Sequence, residues 1–234
     1  MKRRINKVAI LGSGVMGSRI ACHFANIGVE VLLLDIVPKE LNQKEKKQGL
    51  SLEDKKVRNR IVDESLDFAL KSKPSPIYHI DFAQRISTGN FDDDMSKIGE
   101  YDWIIEVVVE NLKIKQSVFE QVENYRKKGT LITSNTSGIP MQQMCEGRSE
   151  DFVKHFAGSH FFNPPRYLEL LEIIPGPSTD NDIIDFLMSY GSKYLGKTTV
   201  LCKDTPAFIA NRIGIYAILK VVESMQKLNL NIDQ

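Results

Sequence analysis

Residues 8–17 read Val8-Ala9-Ile10-Leu11-Gly12-Ser13-Gly14-Val15-Met16-Gly17: an apolar run, then three glycines within six positions. Continuous apolar residues suit a strand buried on both faces. The glycines break it, and a helical pattern follows from Val15 to Asn26, with Ile20, Phe24 and Ile27 on one face. Gly28 ends the helix. Glu30 to Leu34 is a second buried strand, and Asp35 closes it. In that context G-x-G-x-x-G is a dinucleotide-binding signal. Gly12 permits the tight turn, Gly14 lets a pyrophosphate approach the backbone, and Gly17 lets the helix lie close to the strand. The helix N-terminus at Val15 and Met16 offers free N–H groups and partial positive charge to the phosphates. Asp35 would accept hydrogen bonds from the adenosine ribose and repel a 2′-phosphate, which favours NAD over NADP.

The rest of the chain repeats this alternation. Trp103 to Val109, Leu131 to Ser134, His160 to Phe162, Leu168 to Ile174 and Thr198 to Cys202 read as strands, and a further strand with its connection is expected within Ile77 to Thr88. Leu112 to Arg126 and Asp182 to Leu195 read as helices. The expected fold is therefore α/β: a Rossmann-like, doubly wound, mostly parallel sheet. The highly charged stretch 38–76 reads as a helical hairpin inserted after the second strand, standing partly clear of the core. A last helix is expected from near Pro206 past Met225, apolar around most of its circumference. Such a helix needs a cover, so the chain reads as a cofactor domain (1–205) followed by the first helix (206–234) of a truncated helical C-terminal domain.

Composition narrows the function. The 234 residues carry 31 basic and 30 acidic side chains, and this balance argues against a global grip on nucleic acid. No apolar run is long enough to span a membrane, and the N-terminus lacks the pattern of a signal peptide. Three widely spaced cysteines, Cys22, Cys145 and Cys202, suggest neither a disulfide framework nor a metal site, and they fit a reducing cytoplasm.

Among four histidines, His160 stands out, because its strand would end at the carboxyl edge of the sheet where such folds bind ligands. Twelve residues later Glu172 interrupts an apolar strand, and a buried carboxylate needs a partner. Spacing alone leaves open whether the two form a catalytic pair, a structural pair or no pair. Ser134-Asn135-Thr136-Ser137 and Asn211 could complete a site, Asn211 either as a packing residue or as a donor to a substrate oxygen.

Five ordered motifs then carry a resemblance. Gly12 to Gly17, Val109-Glu110-Asn111-Leu112-Lys113-Ile114-Lys115, Ser134 to Ser137, His160-Phe161-Phe162-Asn163-Pro164-Pro165 and Asp204-Thr205-Pro206-Ala207-Phe208-Ile209-Ala210-Asn211-Arg212 resemble the L-3-hydroxyacyl-CoA dehydrogenase family. Residues 88–94 and 196–204 are further similar to the bacterial multifunctional β-oxidation type, in which the dehydrogenase shares a polypeptide with an enoyl-CoA hydratase. The resemblance implies NAD-dependent oxidation of (3S)-3-hydroxyacyl-CoA to 3-oxoacyl-CoA. It implies His160 as general base, Glu172 as its orienting partner, and Ser137 and Asn211 as hydrogen-bond partners of the reacting oxygen or nearby groups. Glu110, Lys115 and Asn163 would line the nicotinamide end, although Lys115 read alone suits a solvated helix face.

The same resemblance sets the insertion beside CoA. Between Lys44 and Arg60 seven basic residues face three acidic ones, an excess that could receive phosphates or could simply be solvated. A family serine on this hairpin maps to Ser65. The family lysine lacks a direct match, with Ser72 at its spacing and Lys71 beside it, and Gly138 replaces a second serine after Ser137. The expected partners are an acyl-CoA substrate, the helical C-terminal domain, a hydratase module and, at full length, a second copy in a homodimer. On this reading the 234 residues bind NAD and turn over poorly alone. The alternatives are a dehydrogenase of another 3-hydroxyacid and a non-enzymatic NAD-sensing module.

Overall fold

The computed structural model describes residues 3–231. Its first elements are β1 (Lys7–Leu11), α1 (Val15–Asn26) and β2 (Glu30–Asp35). Three helices follow, α2 (Gln43–Lys47), α3 (Lys55–Arg58) and α4 (Arg60–Lys71), then β3 (Ile86–Asn90) and the one-turn α5 (Phe91–Asp94). The second half runs β4 (Trp103–Glu106), α6 (Leu112–Tyr125), β5 (Leu131–Ser134), α7 (Met141–Met144), α8 (Glu150–Lys154) and β6 (Phe156–Phe161). It closes with β7 (Leu170–Pro175), α9 (Asn181–Lys193), β8 (Thr198–Leu201) and α10 (Ala210–Leu228).

The strands form one sheet in the order β3-β2-β1-β4-β5-β6-β7-β8. β1 to β6 are mutually parallel, β7 is antiparallel to β6, and β8 is parallel to β7. The expected doubly wound sheet is thus present. Its strand order reverses between β1 and β4, which opens a crevice at their carboxyl ends.

Period-two alternation sorts the core into two layers. Val8, Ile10, Val31, Leu33, Trp103 and Ile105 face α1, α4 and α9. Ala9, Leu11, Leu32, Leu34 and Ile104 face the other side, with Phe119 and Val122 of α6 and Phe152 of α8. Edge-on aromatic contacts hold the first layer, with Trp103 centred 5.3 Å from Phe24 and 5.8 Å from Tyr190.

Three expectations change. The insertion is not a simple hairpin, because Gly49 (φ +68°) and the Ser51–Asp54 turn break it into two short helices before α4. α4 also packs into the core beside α1 through Val62, Leu66 and Leu70. Within 77–88, residues Ile80–Arg85 form 3-10 turns, and the strand begins only at Ile86. The last helix starts at Ala210, since Ala207 (φ 62°) and Phe208 (φ 47°) adopt left-handed backbone after Pro206. None of its residues is buried, and Ile213, Tyr216, Ile218 and Leu219 are exposed.

His23 illustrates the cost of the tight α1 packing. Its Nε2 lies 3.0 Å from the Leu195 carbonyl, and its Nδ1 is buried without a partner. Burial, reinforced by the Lys197 charge, pushes its pKa from 6.5 down to about 4. Below pH 6.5 the unfolded chain therefore takes up a proton that the fold refuses. Stability should fall by up to roughly 3 kcal/mol as pH drops from 6.5 to about 4, a loss that His23→Gln removes. Urea denaturation of both proteins across this range checks the difference, and parallel profiles would reject it.

Candidate active site

Strand parity sets the chemistry-bearing groups. On β4, Glu106 follows Ile104 onto the α6 side of the sheet. On β5, Ser134 follows Ile132 to that side, and on β6, His160 follows Phe156. The antiparallel register of β6 and β7 sets His160 directly opposite Glu172.

Glu172 is completely buried. His160 Nδ1 lies 2.8 Å from Glu172 Oε2. The carboxylate is acceptor-only when ionised, so Nδ1 carries the proton, and Nε2 is left as the basic nitrogen. Glu172 Oε1 accepts the N–H of Ile209 at 3.1 Å and of Ala210 at 2.8 Å, the free amides at the start of α10. One carboxylate thereby orients the imidazole and caps the last helix. Burial and the Glu172 charge push the neighbouring Cys202 thiol up to about 12, so it stays neutral. Phe162 and Phe208 flank the imidazole, with ring centres 4.4 and 5.7 Å away.

A second buried cluster lies at the end of β4. Lys115 is 1% exposed, because α6 buries the stripe 115, 118, 119 and 122, and the lysine occupies its first position. The reading of Lys115 as a solvated residue is corrected on that ground. Its ammonium donates to Glu106 Oε1 at 2.7 Å and to the Val108 carbonyl at 3.3 Å, and sits 3.3 Å from Glu110 Oε2. Burial alone would raise the Glu110 carboxyl, but the Thr136 hydroxyl, the Lys115 charge and the Ser137 N–H outweigh it and hold it below its usual range. Sequence reasoning does not single out Glu106. The available signal is the one that marks Glu172, a carboxylate on an apolar strand.

The glycine loop is built as its motif requires. A Cβ on Gly17 would lie 1.8 Å from the Gly12 carbonyl, and one on Gly12 would lie 2.6 Å from the Val107 carbonyl. Gly14, by contrast, faces open space within 4 Å, and no side chain caps α1 behind it. Uncapped amides beside an open glycine are what an approaching pyrophosphate needs, so these residues fit NAD. Asp35 is held by Ser13, whose N–H and hydroxyl each donate to Oδ2 at 2.6 Å, and by the Ile36 N–H. Arg19 on α1 donates to Asn163 Oδ1 at 3.0 Å, tying the turn after β6 to the helix behind the glycines.

Of the other candidates, Ser137 and Asn211 adjoin these two clusters. Ser137 contributes its N–H to Glu110 at 3.0 Å, and Asn211 is half-buried in the first turn of α10. Ser65 and Lys71 lie on α4, where Lys71 pairs with Asp67 at 2.5 Å. Some of the basic excess is also engaged: Arg58 binds Asp93 through two hydrogen bonds of 2.6 and 2.7 Å, and Arg60 binds Glu45.

Residues 7–205 match the family model of the 3-hydroxyacyl-CoA dehydrogenase NAD-binding domain. The chain belongs to the 3-hydroxyacyl-CoA dehydrogenase family. A probable 3-hydroxyacyl-CoA dehydrogenase of Bacillus subtilis is 53% identical over 97% of this chain and 29% of its own length. A putative fatty acid oxidation complex trifunctional enzyme of Rickettsia felis is 38% identical over 93% of this chain and 28% of its own length. The chain therefore spans under a third of either relative. The crystal structure of (S)-3-hydroxybutyryl-CoA dehydrogenase from Ralstonia eutropha superposes with a TM-score of 0.67 at 27% identity, covering 90% of this chain and 68% of that one. NAD is accordingly the cofactor of the family domain that this chain contains.

Glu172→Gln keeps the side-chain shape but cannot accept at every one of its three contacts. It should cost about 1–3 kcal/mol in urea denaturation. Glu172→Ala removes both oxygens, so amide exchange at Ile209 and Ala210 should quicken selectively in that variant, and unchanged exchange there would contradict the capping role.

Proposed function

We propose that this chain is the cofactor-binding portion of an NAD-dependent enzyme that oxidises (3S)-3-hydroxyacyl-CoA to 3-oxoacyl-CoA in fatty-acid β-oxidation. The observation that carries the reading is the His160–Glu172 pair, 2.8 Å apart at the carboxyl end of the sheet. When bound, NAD supplies the hydride acceptor. His160 Nε2 takes the 3-hydroxyl proton as C3 gives up its hydride and the carbon–oxygen bond becomes a carbonyl. Glu172 keeps Nδ1 protonated and stabilises the imidazolium that results. Ser137 and Asn211 hydrogen-bond the reacting oxygen or nearby substrate groups. Gly12, Gly14, Val15, Met16 and Gly17 receive the pyrophosphate, Asp35 the adenosine ribose, and Asn163 and Glu110 the nicotinamide end, with the buried Lys115 acting on it from behind Glu110.

The longer relatives support a larger working protein. We read 1–205 as the cofactor domain and α10 as the start of a helical domain that covers Ile213, Tyr216 and Leu219, exposed here. A homodimer and a hydratase module belong to the same reading, the latter supported by the relative named as a trifunctional enzyme. Ser65 and Lys71 remain the CoA-side candidates on α4. A reducing, cytoplasmic setting fits three buried free thiols; among the described residues no helix is long and apolar enough to cross a membrane.

The test is turnover in the longest natural polypeptide carrying this chain. His160→Gln should lower kcat about 10²- to 10⁴-fold and leave the NADH Kd unchanged. Retained wild-type turnover rejects the base. Equal rates on free 3-hydroxyacids and their CoA thioesters reject the substrate class.

A further inference from the structure

Glu106 is the most deeply buried charge near the glycine loop, and the reaction as described makes no use of it. It is fully buried at the end of β4. Its Oε1 accepts from Lys115 Nζ and from the Val108 N–H, both at 2.7 Å, and its Oε2 accepts from the Ser134 hydroxyl at 2.5 Å. Three donors on one carboxyl are the pattern of the ionised, acceptor-only form. Burial raises this carboxyl above its usual range, and the Lys115 charge with the hydrogen bonds from Lys115, Ser134 and the Val108 N–H opposes that rise. Lys115 completes a chain of charge outward, from Glu106 through the ammonium to Glu110 at 3.3 Å. Glu110 is the only one of the three that meets solvent, its side chain 43% exposed. The loop carrying it lies against the glycine loop, because a Cβ on Gly12 would lie 2.6 Å from the Val107 carbonyl oxygen and 2.9 Å from the Val108 nitrogen.

We propose that Glu106 is a positioning and charge-setting residue: by neutralising Lys115 from inside, it leaves Glu110 with an uncompensated negative charge that favours the oxidised cofactor over the reduced one. This rests on the reading that the loop after β4 receives the nicotinamide end. The oxidised nicotinamide ring carries a positive charge, and the reduced ring does not. The rest of the two cofactors is identical. A fixed charge near the ring therefore discriminates between them, whereas a purely structural contact does not. With Glu106 ionised against the Lys115 ammonium, Glu106, Lys115 and Glu110 sum to one negative charge. Without Glu106 the sum is zero, and the ammonium belongs to Glu110 alone.

Coulomb attraction at partly buried separations translates one unit of charge into roughly a fivefold change in relative affinity. Binding of NAD+ and NADH to this chain is measured for the wild type, Glu106→Gln, Lys115→Met and the double variant. Glu106→Gln should raise the ratio of the NAD+ Kd to the NADH Kd about fivefold. Lys115→Met, which makes the sum more negative, should lower it. The double variant returns the sum to one negative charge and should restore the wild-type ratio, an outcome that loss of folding cannot imitate. It also removes the buried pair as a unit, which proteins tolerate better than removal of one partner. Should Glu106→Gln fail to fold, the double variant is compared with Lys115→Met alone, and the same fivefold step is expected. An unchanged ratio across these variants, in a wild type that binds both nucleotides, overturns the proposal and leaves the cofactor reading intact. A wild type that binds neither nucleotide overturns both.

Discussion

Glu172 sits where water cannot reach it, and an ionised carboxylate there must be satisfied by the protein alone. Its two oxygens draw on separate regions of the chain: the imidazole of His160 on β6 and the amides of Ile209 and Ala210 at the start of α10. Each contact constrains something else. The His160 contact works only in the register that sets residues 160 and 172 opposite one another. The amide contacts work only if the chain turns sharply between Pro206 and Ile209, which it does through left-handed backbone at Ala207 and Phe208. A single desolvated charge thus joins an antiparallel strand pair, a histidine tautomer and the direction of the last helix.

The second buried carboxylate, Glu106, has a similar role on the central strand β4. Lys115, Ser134 and the Val108 N–H converge on it, so β4, β5, α6 and the loop after β4 meet at one point. Isolated, either charge would be costly to bury; paired and fully hydrogen-bonded, they specify how α6 sits on the sheet. Both carboxylates lie on the α6 side of the sheet, near its ligand-facing end. The opposite layer, around Phe24, Trp103 and Tyr190, is aromatic and aliphatic and serves packing.

Much of this is legible in the sequence. The strand, glycines and helix at 8–26 match observed elements because continuous apolar runs and 3.6-residue periodicity are local properties. The pairing of His160 with Glu172 follows from the need of a carboxylate in an apolar strand for a partner. The same argument, applied to Trp103 to Val109, also finds Glu106. Lys115 is misread when taken alone, because residue type says less than its place on the stripe with Val118, Phe119 and Val122. The insertion is less legible. Short helices broken by Gly49 leave too few turns for a periodic signal, and their charges pair with residues far away, as Arg58 does with Asp93.

By itself the sequence determined the alternation of strands and helices, the turn chemistry at Gly12 to Gly17, and the presence of lone carboxylates in buried strands. These follow from steric and hydrophobic constraints that act over a few neighbouring residues. Tertiary structure alone decided the full set of groups that those carboxylates meet, beyond the one partner the sequence suggests for Glu172. Glu106 and Lys115 are nine residues apart, and His160 and Glu172 twelve, yet Glu172 also takes amides 37 and 38 residues away. Such contacts depend on the sheet order, the reversal of β7 and the turn before α10. In a buried site each charge binds whatever donors the packed chain brings within reach, and that set exists only once the strands have assembled.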